Sequence, residues 1–142
     1  FAILYTLSTF LNTLGFMGYV GDLLAERMAA MAWPLAFVIL VFTYVVLHYL
    51  FVSQTAHMLA LFGVFLGAGI SVGVPPVLLA FMLLFATNYF SVITPQGSSC
   101  NILYISSGYI KPQEVYRIGG VITLLGFIIY MLLGTAWIML IF

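Results

Sequence analysis

Four apolar runs, each close to the length of a membrane-crossing helix, constrain this sequence more than any other feature. A helix needs roughly 20 apolar residues to cross a bilayer core of about 30 Å. None of the runs contains Asp, Glu, Lys or Arg, and they cover residues 1–20, 31–52, 75–93 and 118–142. The sequence therefore predicts an all-α integral membrane protein.

Charge is scarce throughout the chain. Three basic and three acidic residues make up 4% of it, and 65% of its residues are hydrophobic. Soluble domains carry roughly a quarter charged residues, so this chain could not present an ordinary solvated surface. A membrane barrel is not indicated either, because apolar and polar residues do not alternate. The zero net charge gives no reason to expect a nucleic-acid partner, and the expected surroundings are the lipid bilayer.

The charged residues form two groups that must lie outside the bilayer core. They are Asp22, Glu26, Arg27, Lys111, Glu114 and Arg117. The positive-inside rule places the second group on the cytoplasmic side. Residues 31–73 must then enter and leave through one face, and they turn at SQTAH, residues 53–57. Because the chain begins with Phe1 inside an apolar run, we interpret it as a piece of a longer protein.

The turn at residues 53–57 is polar but uncharged, and apolar residues flank it on both sides. Loops between complete spans usually attract Lys or Arg. Their absence favours a re-entrant hairpin whose tip stops at membrane depth, where irregular backbone must be buried in protein or line a wet cavity. The alternative is an ordinary cytoplasmic loop between two complete spans.

A second interruption, TPQGSSCN, occupies residues 94–101. Pro95 lacks a backbone donor and Gly97 loosens the chain, so the helix from Pro75 should end near Ile93 and a half-helix should restart over residues 102–109. The alternative is a complete span over 75–93 followed by an extramembrane loop. The predicted organisation is a first helix with an interfacial segment (1–30), a hairpin (31–73), a broken helix with its loop at 94–100 (74–110) and a final helix (111–142).

Two broken apolar segments are typical of secondary transporters, in which discontinuous helices meet near the midplane. Ser53 and Thr55 suit the N-cap of a helix starting at Ala56. The free N–H groups of such a first turn attract a carboxylate without a buried Lys or Arg.

Three segments carry a resemblance to a known family: LHYLFVSQTAHMLALF, VPPVLLAFMLLFATNYFSVITPQGS and SSGYIKPQEVYRIGG. They resemble the C-terminal half of the divalent anion/sodium symporter family, which includes dicarboxylate and citrate carriers. The resemblance implies one repeat of an inverted-repeat, elevator-type homodimer. Its implied substrate contacts are Ser53, Gln54, Thr55, Thr94 and Pro95. No cofactor is implied beyond sodium, whose implied position is near Val52, Thr55, Ile93 and Thr94.

Two departures point to one branch of that family. Gln54 stands where Asn is usual, and TPQG stands where sodium-coupled members often have TPPN. The SQT form followed by His57 is similar to plastid 2-oxoglutarate/malate translocators and bacterial citrate or tartrate/succinate antiporters. We therefore expect exchange of di- or tricarboxylates in a bacterial plasma membrane or a plastid inner envelope, with sodium symport as the alternative.

Other polar residues allow both structural and functional interpretations. His57, Gln96 and Gly97 are candidates for a further anion or coupling contact, although packing or capping is the favoured interpretation of His57, and a structural role is favoured for His48. The competing function classes are an intramembrane enzyme, with Ser98, Ser99 or Cys100 as nucleophile, and a structural membrane subunit. No acid lies in an apolar run to assist a nucleophile, and two His and three acids are too scattered for a metal cluster.

Overall fold

The computed structural model describes residues 6, 10, 13–28, 30–51 and 53–142. All regular elements in this part of the chain are helical. They are α1 (Phe16–Met28), α2 (Trp33–Leu47) with a 3₁₀ turn (His48–Leu50), α3 (Gln54–Ser71), α4 (Pro76–Phe90), α5 (Ser99–Ser106), α6 (Pro112–Ile129) with a π-helical turn (Tyr130–Gly134), and α7 (Thr135–Ile141). The predicted all-α class is confirmed.

Three helical segments within the described residues are long and apolar enough to cross a membrane: Trp33–Leu50, Gln54–Ser71 and Pro112–Ile141. Pro76–Phe90 is apolar but shorter. The chain is therefore a multi-pass integral membrane protein. Since α2 with its 3₁₀ turn and α3 each have the length of a complete span, the re-entrant depth of the turn between them stays a prediction.

Several helix boundaries differ from the predicted ones. Half of the predicted first span lies outside the described residues, and α1 continues through the charged positions 22–27, which we expected in a connecting segment. The last helix starts at Pro112, one residue inside the predicted final segment 111–142 and ahead of the uncharged run that begins at position 118. Proline is well placed there, because the first helical position needs no intrahelical N–H bond. Glu114 then accepts a hydrogen bond from the backbone N–H of Lys111 at 2.9 Å, which closes the helix start.

The core lies where α2, α3 and α4 pack together, and its members include Leu40, Tyr44, Phe65, Leu79 and Phe90. Gly69 lets α3 approach the other two helices closely, since a Cβ there would collide with Leu79 and lie 3.1 Å from Leu40 Cδ1. Gly73, with φ of +84°, then makes the tight turn into α4.

The long helix α6 packs against the end of α4 through small residues one turn apart. A Cβ at Gly119 would collide with the backbone of Val92, and one at Gly126 would lie 2.9 Å from Tyr89 Cβ. Between them, Thr123 Oγ1 donates a hydrogen bond to the carbonyl of Tyr89 at 2.9 Å. These contacts fix the end of α4, where the chain breaks before α5.

Candidate functional site

The turn between α2 and α3 carries the first group of predicted site residues. Ser53 is extended, with φ of −150° and ψ of 130°, and caps α3. Its Oγ accepts a long hydrogen bond of 3.5 Å from the N–H of Ala56. The predicted cap is therefore confirmed for Ser53, but α3 begins at Gln54 and not at Ala56. Thr55 consequently lies inside the first turn with its side chain exposed, and it does not cap the helix.

Gln54 connects this turn to α4. Its Nε2 donates a hydrogen bond to the backbone carbonyl of Thr87, whose own Oγ1 donates to the Leu84 carbonyl at 2.6 Å. The amide nitrogen of Gln54 is thus directed at the backbone of α4. The side-chain carbonyl oxygen of Gln54 and the backbone N–H groups of Gln54 and Thr55 take no part in that contact.

The second group of predicted residues lies in the loop between α4 and α5. The loop starts after Phe90, earlier than the predicted position 93, and α5 restarts at Ser99, earlier than the predicted position 102. Ser98 Oγ caps α5 by accepting from the Cys100 N–H at 3.3 Å. Pro95 and Gln96 are half-buried.

Gly97 lies at the most crowded point of the loop. A Cβ there would lie 2.7 Å from the Ser91 carbonyl oxygen, 2.8 Å from His48 Nε2 and 2.9 Å from Thr94 Oγ1. Its N–H donates to the Thr94 carbonyl at 3.1 Å. Thr94 is itself buried, and its Oγ1 has no hydrogen-bond partner among the described residues. Only glycine fits this position without displacing a neighbour.

Asn101, in the first turn of α5, was missed by the sequence reasoning. Its Nδ2 donates to two loop carbonyls, that of Ser91 at 3.0 Å and that of Thr94 at 2.9 Å. A cap pattern could have suggested that this side chain turns back toward the helix start. Nothing in the sequence shows that it reaches both carbonyls.

Both histidines lie in a cluster of aromatic rings between the turn and the loop. The His57 ring lies 4.4 Å from Tyr44, 4.6 Å from Phe90 and 4.9 Å from Phe51, measured between centroids. The His48 ring stacks on Phe90 at 4.2 Å. Both side chains are fully buried, and neither nitrogen of His57 has a hydrogen-bond partner in the described part of the chain. This surrounding supports packing for His57, while its predicted anion contact stays a prediction.

The two predicted groups therefore converge on the C-terminal half of α4. Gln54 reaches it at Thr87, His57 and His48 lie against Phe90, and His48 also adjoins Gly97. Within the described part of the chain, no hydrogen bond joins Ser53 or Thr55 directly to the loop. Val52 lies outside the described residues.

Neither a metal cluster nor a catalytic pair is apparent in the described residues. No group of three or more His, Cys, Asp or Glu there could hold a metal ion. Cys100 is exposed, and the Ser98 hydroxyl caps α5 while both imidazoles lie in the buried ring cluster. The arrangement instead offers two serine-capped helix starts beside one helix end, which suits binding of a small anion.

Comparison with known proteins decides the family. The model of the sodium:sulfate symporter transmembrane region matches residues 1–142. The chain belongs to this family. Its relatives include dicarboxylate transporter 2.1, chloroplastic, of Arabidopsis thaliana, which is 37% identical over 139 residues. A putative malate transporter of Bacillus subtilis is 33% identical over 137 residues, and the L-tartrate/succinate antiporter of Escherichia coli is 28% identical over 137 residues.

Each alignment covers 96% of this chain but only 25%, 29% and 28% of these three relatives, respectively. The chain therefore spans about a quarter of the length of the curated relatives it matches. The resemblance found in the sequence is confirmed. The family and the relatives' names point to transporters rather than enzymes.

Proposed function

We propose that this chain forms part of a carrier that moves di- or tricarboxylates, of the succinate, malate, 2-oxoglutarate and citrate class, across a membrane by exchange. The relatives named as dicarboxylate transporters and as a tartrate/succinate antiporter support the substrate class and the exchange mode. The site described above supports binding of an anion by uncharged groups.

The observation that carries the proposal is the start of α3. The N–H groups of Gln54 and Thr55 occupy the first two helical positions, where no intrahelical carbonyl is available. Ser53 Oγ accepts from the third N–H, and the exposed Thr55 side chain adds a hydroxyl beside the two free donors. A carboxylate placed there would accept hydrogen bonds and meet the positive end of the helix dipole.

The absence of charge at this site keeps the cost of placing it in the membrane low when no anion is bound. A Lys or Arg at membrane depth is costly, by about 2.5 to 3.5 kcal/mol on insertion scales. Helix N-terminal donors attract an anion without that cost, because they remain part of a bonded helix when the anion leaves. The second capped start, at Ser98, lies beside the same helix end and suits the other end of a dicarboxylate.

The proposal extends to the architecture of the whole protein. We infer that the α2–α3 turn is the tip of a re-entrant hairpin, that the chain is one of two inverted repeats, and that the protein works as an elevator-type homodimer. The family match supports this assignment. A bulky impermeant thiol reagent tests the tip: a Cys at Gln54 that reacts at full rate from one side, with or without substrate, would contradict the buried position.

Exchange is tested with the full-length protein in proteoliposomes. Vesicles loaded with unlabelled malate should take up labelled succinate, and empty vesicles should not, with or without a sodium gradient. Strong uptake into empty vesicles that requires sodium would instead establish the alternative, sodium-coupled symport.

The site itself is tested with Thr55→Val, which removes the hydroxyl and keeps the side-chain shape. Exchange should fall by about tenfold, the size of one lost hydrogen bond to a charged group. The matched control is Ser71→Ala, which removes a hydroxyl from the other end of α3, about 24 Å away at 1.5 Å per residue. Equal exchange by both variants at equal expression would count against the site.

A further inference from the structure

The family name implies sodium, and the loop between α4 and α5 is a place where two helices of the described chain are discontinuous. In discontinuous helices, coupling cations are held by unwound backbone carbonyls. The described loop has two such carbonyls that face one point, those of Ser91 and Thr94, because Asn101 Nδ2 lies within 3.0 Å of both. A cation held by this pair of carbonyls would need the position of that nitrogen.

The Asn101 amide already satisfies these oxygens. A side-chain NH₂ group has two donors, which matches the two carbonyls. The Thr94 carbonyl also accepts from the Gly97 N–H at 3.1 Å, so both of its lone pairs are used. On the other side of the α4 end, the amide of Gln54 donates to the Thr87 carbonyl. Three carbonyls around the end of α4 are thus occupied by side-chain N–H donors.

The buried Thr94 Oγ1 lies in the same loop and has no hydrogen-bond partner among the described residues. A single neutral hydroxyl is a poor cation site by itself, since hard cations take several oxygen ligands. The pair of carbonyls that accepts from Asn101 therefore does not fit sodium while the amide is in place.

We propose that the Asn101 side chain takes the place of a coupling cation, holding the break between α4 and α5 closed by donating to the Ser91 and Thr94 carbonyls. Asn101 is a positioning residue, because it acts on the loop backbone and not on the substrate. The inference rests on the proposed function, and it explains how a member of a family named for sodium exchanges anions without it.

Asn101→Asp tests this directly, because a carboxylate has nearly the shape of the amide but directs negative charge at two carbonyl oxygens. The loop should then require a cation. At pH 8, the melting temperature of the purified full-length variant should rise by at least about 3 °C when sodium replaces choline, while that of the wild type should stay within about 1 °C. Exchange by the variant should fall about tenfold in choline and recover in sodium.

The matched control is Gln113→Glu, which makes the same amide-to-carboxylate change at an exposed position in the first turn of α6. It should respond to sodium as the wild type does. Where Asn101→Asp does not accumulate, Asn101→Ala removes the amide without adding charge, and it should also gain a sodium-dependent melting temperature.

The proposal is overturned if the wild type is itself stabilised by sodium over choline, or if neither Asn101 variant responds to sodium. The melting measurement involves no substrate, so it separates this inference from the proposed function. A wild type without dicarboxylate exchange but with the expected melting pattern would refute the transport proposal and support the role of Asn101.

Discussion

Gly97→Ala is the substitution whose effect the loop geometry determines most directly. The added Cβ would lie 2.7 Å from a backbone oxygen, 2.8 Å from an imidazole nitrogen and 2.9 Å from a hydroxyl. All three distances are shorter than real Cβ contacts allow, and the Ser91 backbone cannot move without disturbing its hydrogen bond to Asn101. His48 cannot easily rotate away either, because its ring is fully buried against Phe90.

Overpacking of this kind typically costs about 1 to 3 kcal/mol. We therefore expect the full-length Gly97→Ala protein to melt several degrees below the wild type. Its dicarboxylate exchange should fall further than its stability does, because the displaced loop carries the second capped helix start.

The control is Gly63→Ala in α3, where the added Cβ meets nothing within 4 Å. Alanine there should be neutral or stabilising by about 0.5 to 1 kcal/mol, since glycine is a poor residue for a helix interior. The two alanine substitutions thus have opposite expected signs. A Gly97→Ala protein that melts and exchanges like the wild type would refute the crowding argument.

Two further substitutions test contacts around the end of α4. His57→Phe keeps a ring against Tyr44, Phe51 and Phe90 and removes two buried nitrogens without hydrogen-bond partners in the described residues. The melting temperature should therefore be unchanged or higher, and exchange should persist. A stable variant without exchange would show that the imidazole contributes to anion binding. Thr123→Val removes the 2.9 Å hydrogen bond to the Tyr89 carbonyl and should lower the free energy of unfolding by about 1 to 3 kcal/mol in a denaturation assay. The control, Ser106→Ala, removes an exposed hydroxyl and should leave that free energy almost unchanged.

The membrane class and the helical breaks could be predicted from the sequence because they depend on local chemistry. Long uncharged runs specify spans, Ser53 specifies a cap, and proline at position 95 interrupts a helix. α3 and α5 start a few residues earlier than predicted, because each starts directly after its serine cap. Ser98 caps α5, which therefore starts at Ser99, ahead of the apolar residues from Ile102 onward.

The parts that were missed depend on packing between distant segments. Gly97 was interpreted as a flexible residue, whereas the structure shows a position too crowded for any side chain. Packing was the favoured interpretation of His57, but the rings that surround it come from α2, α4 and the residue before the turn, and the sequence does not identify them. The bonds from Asn101 to two carbonyls ten and seven residues earlier require the loop to fold back, which no local pattern specifies.

The same side chains explain why the two breaks can act together without any charged residue. Gln54 connects the α2–α3 turn to α4, Asn101 connects α5 to the loop, and the rings of His48, His57 and Phe90 fill the space between. Packed side chains thus lie between the two breaks. Because side-chain amides and helix N–H groups provide the polar contacts, the proposed site would leave no unpaired charge in the membrane after an anion is released. In the proposed exchanger, discrimination between empty and occupied states would rest on the free donors at the start of α3, since the Ser91 and Thr94 carbonyls already accept from Asn101.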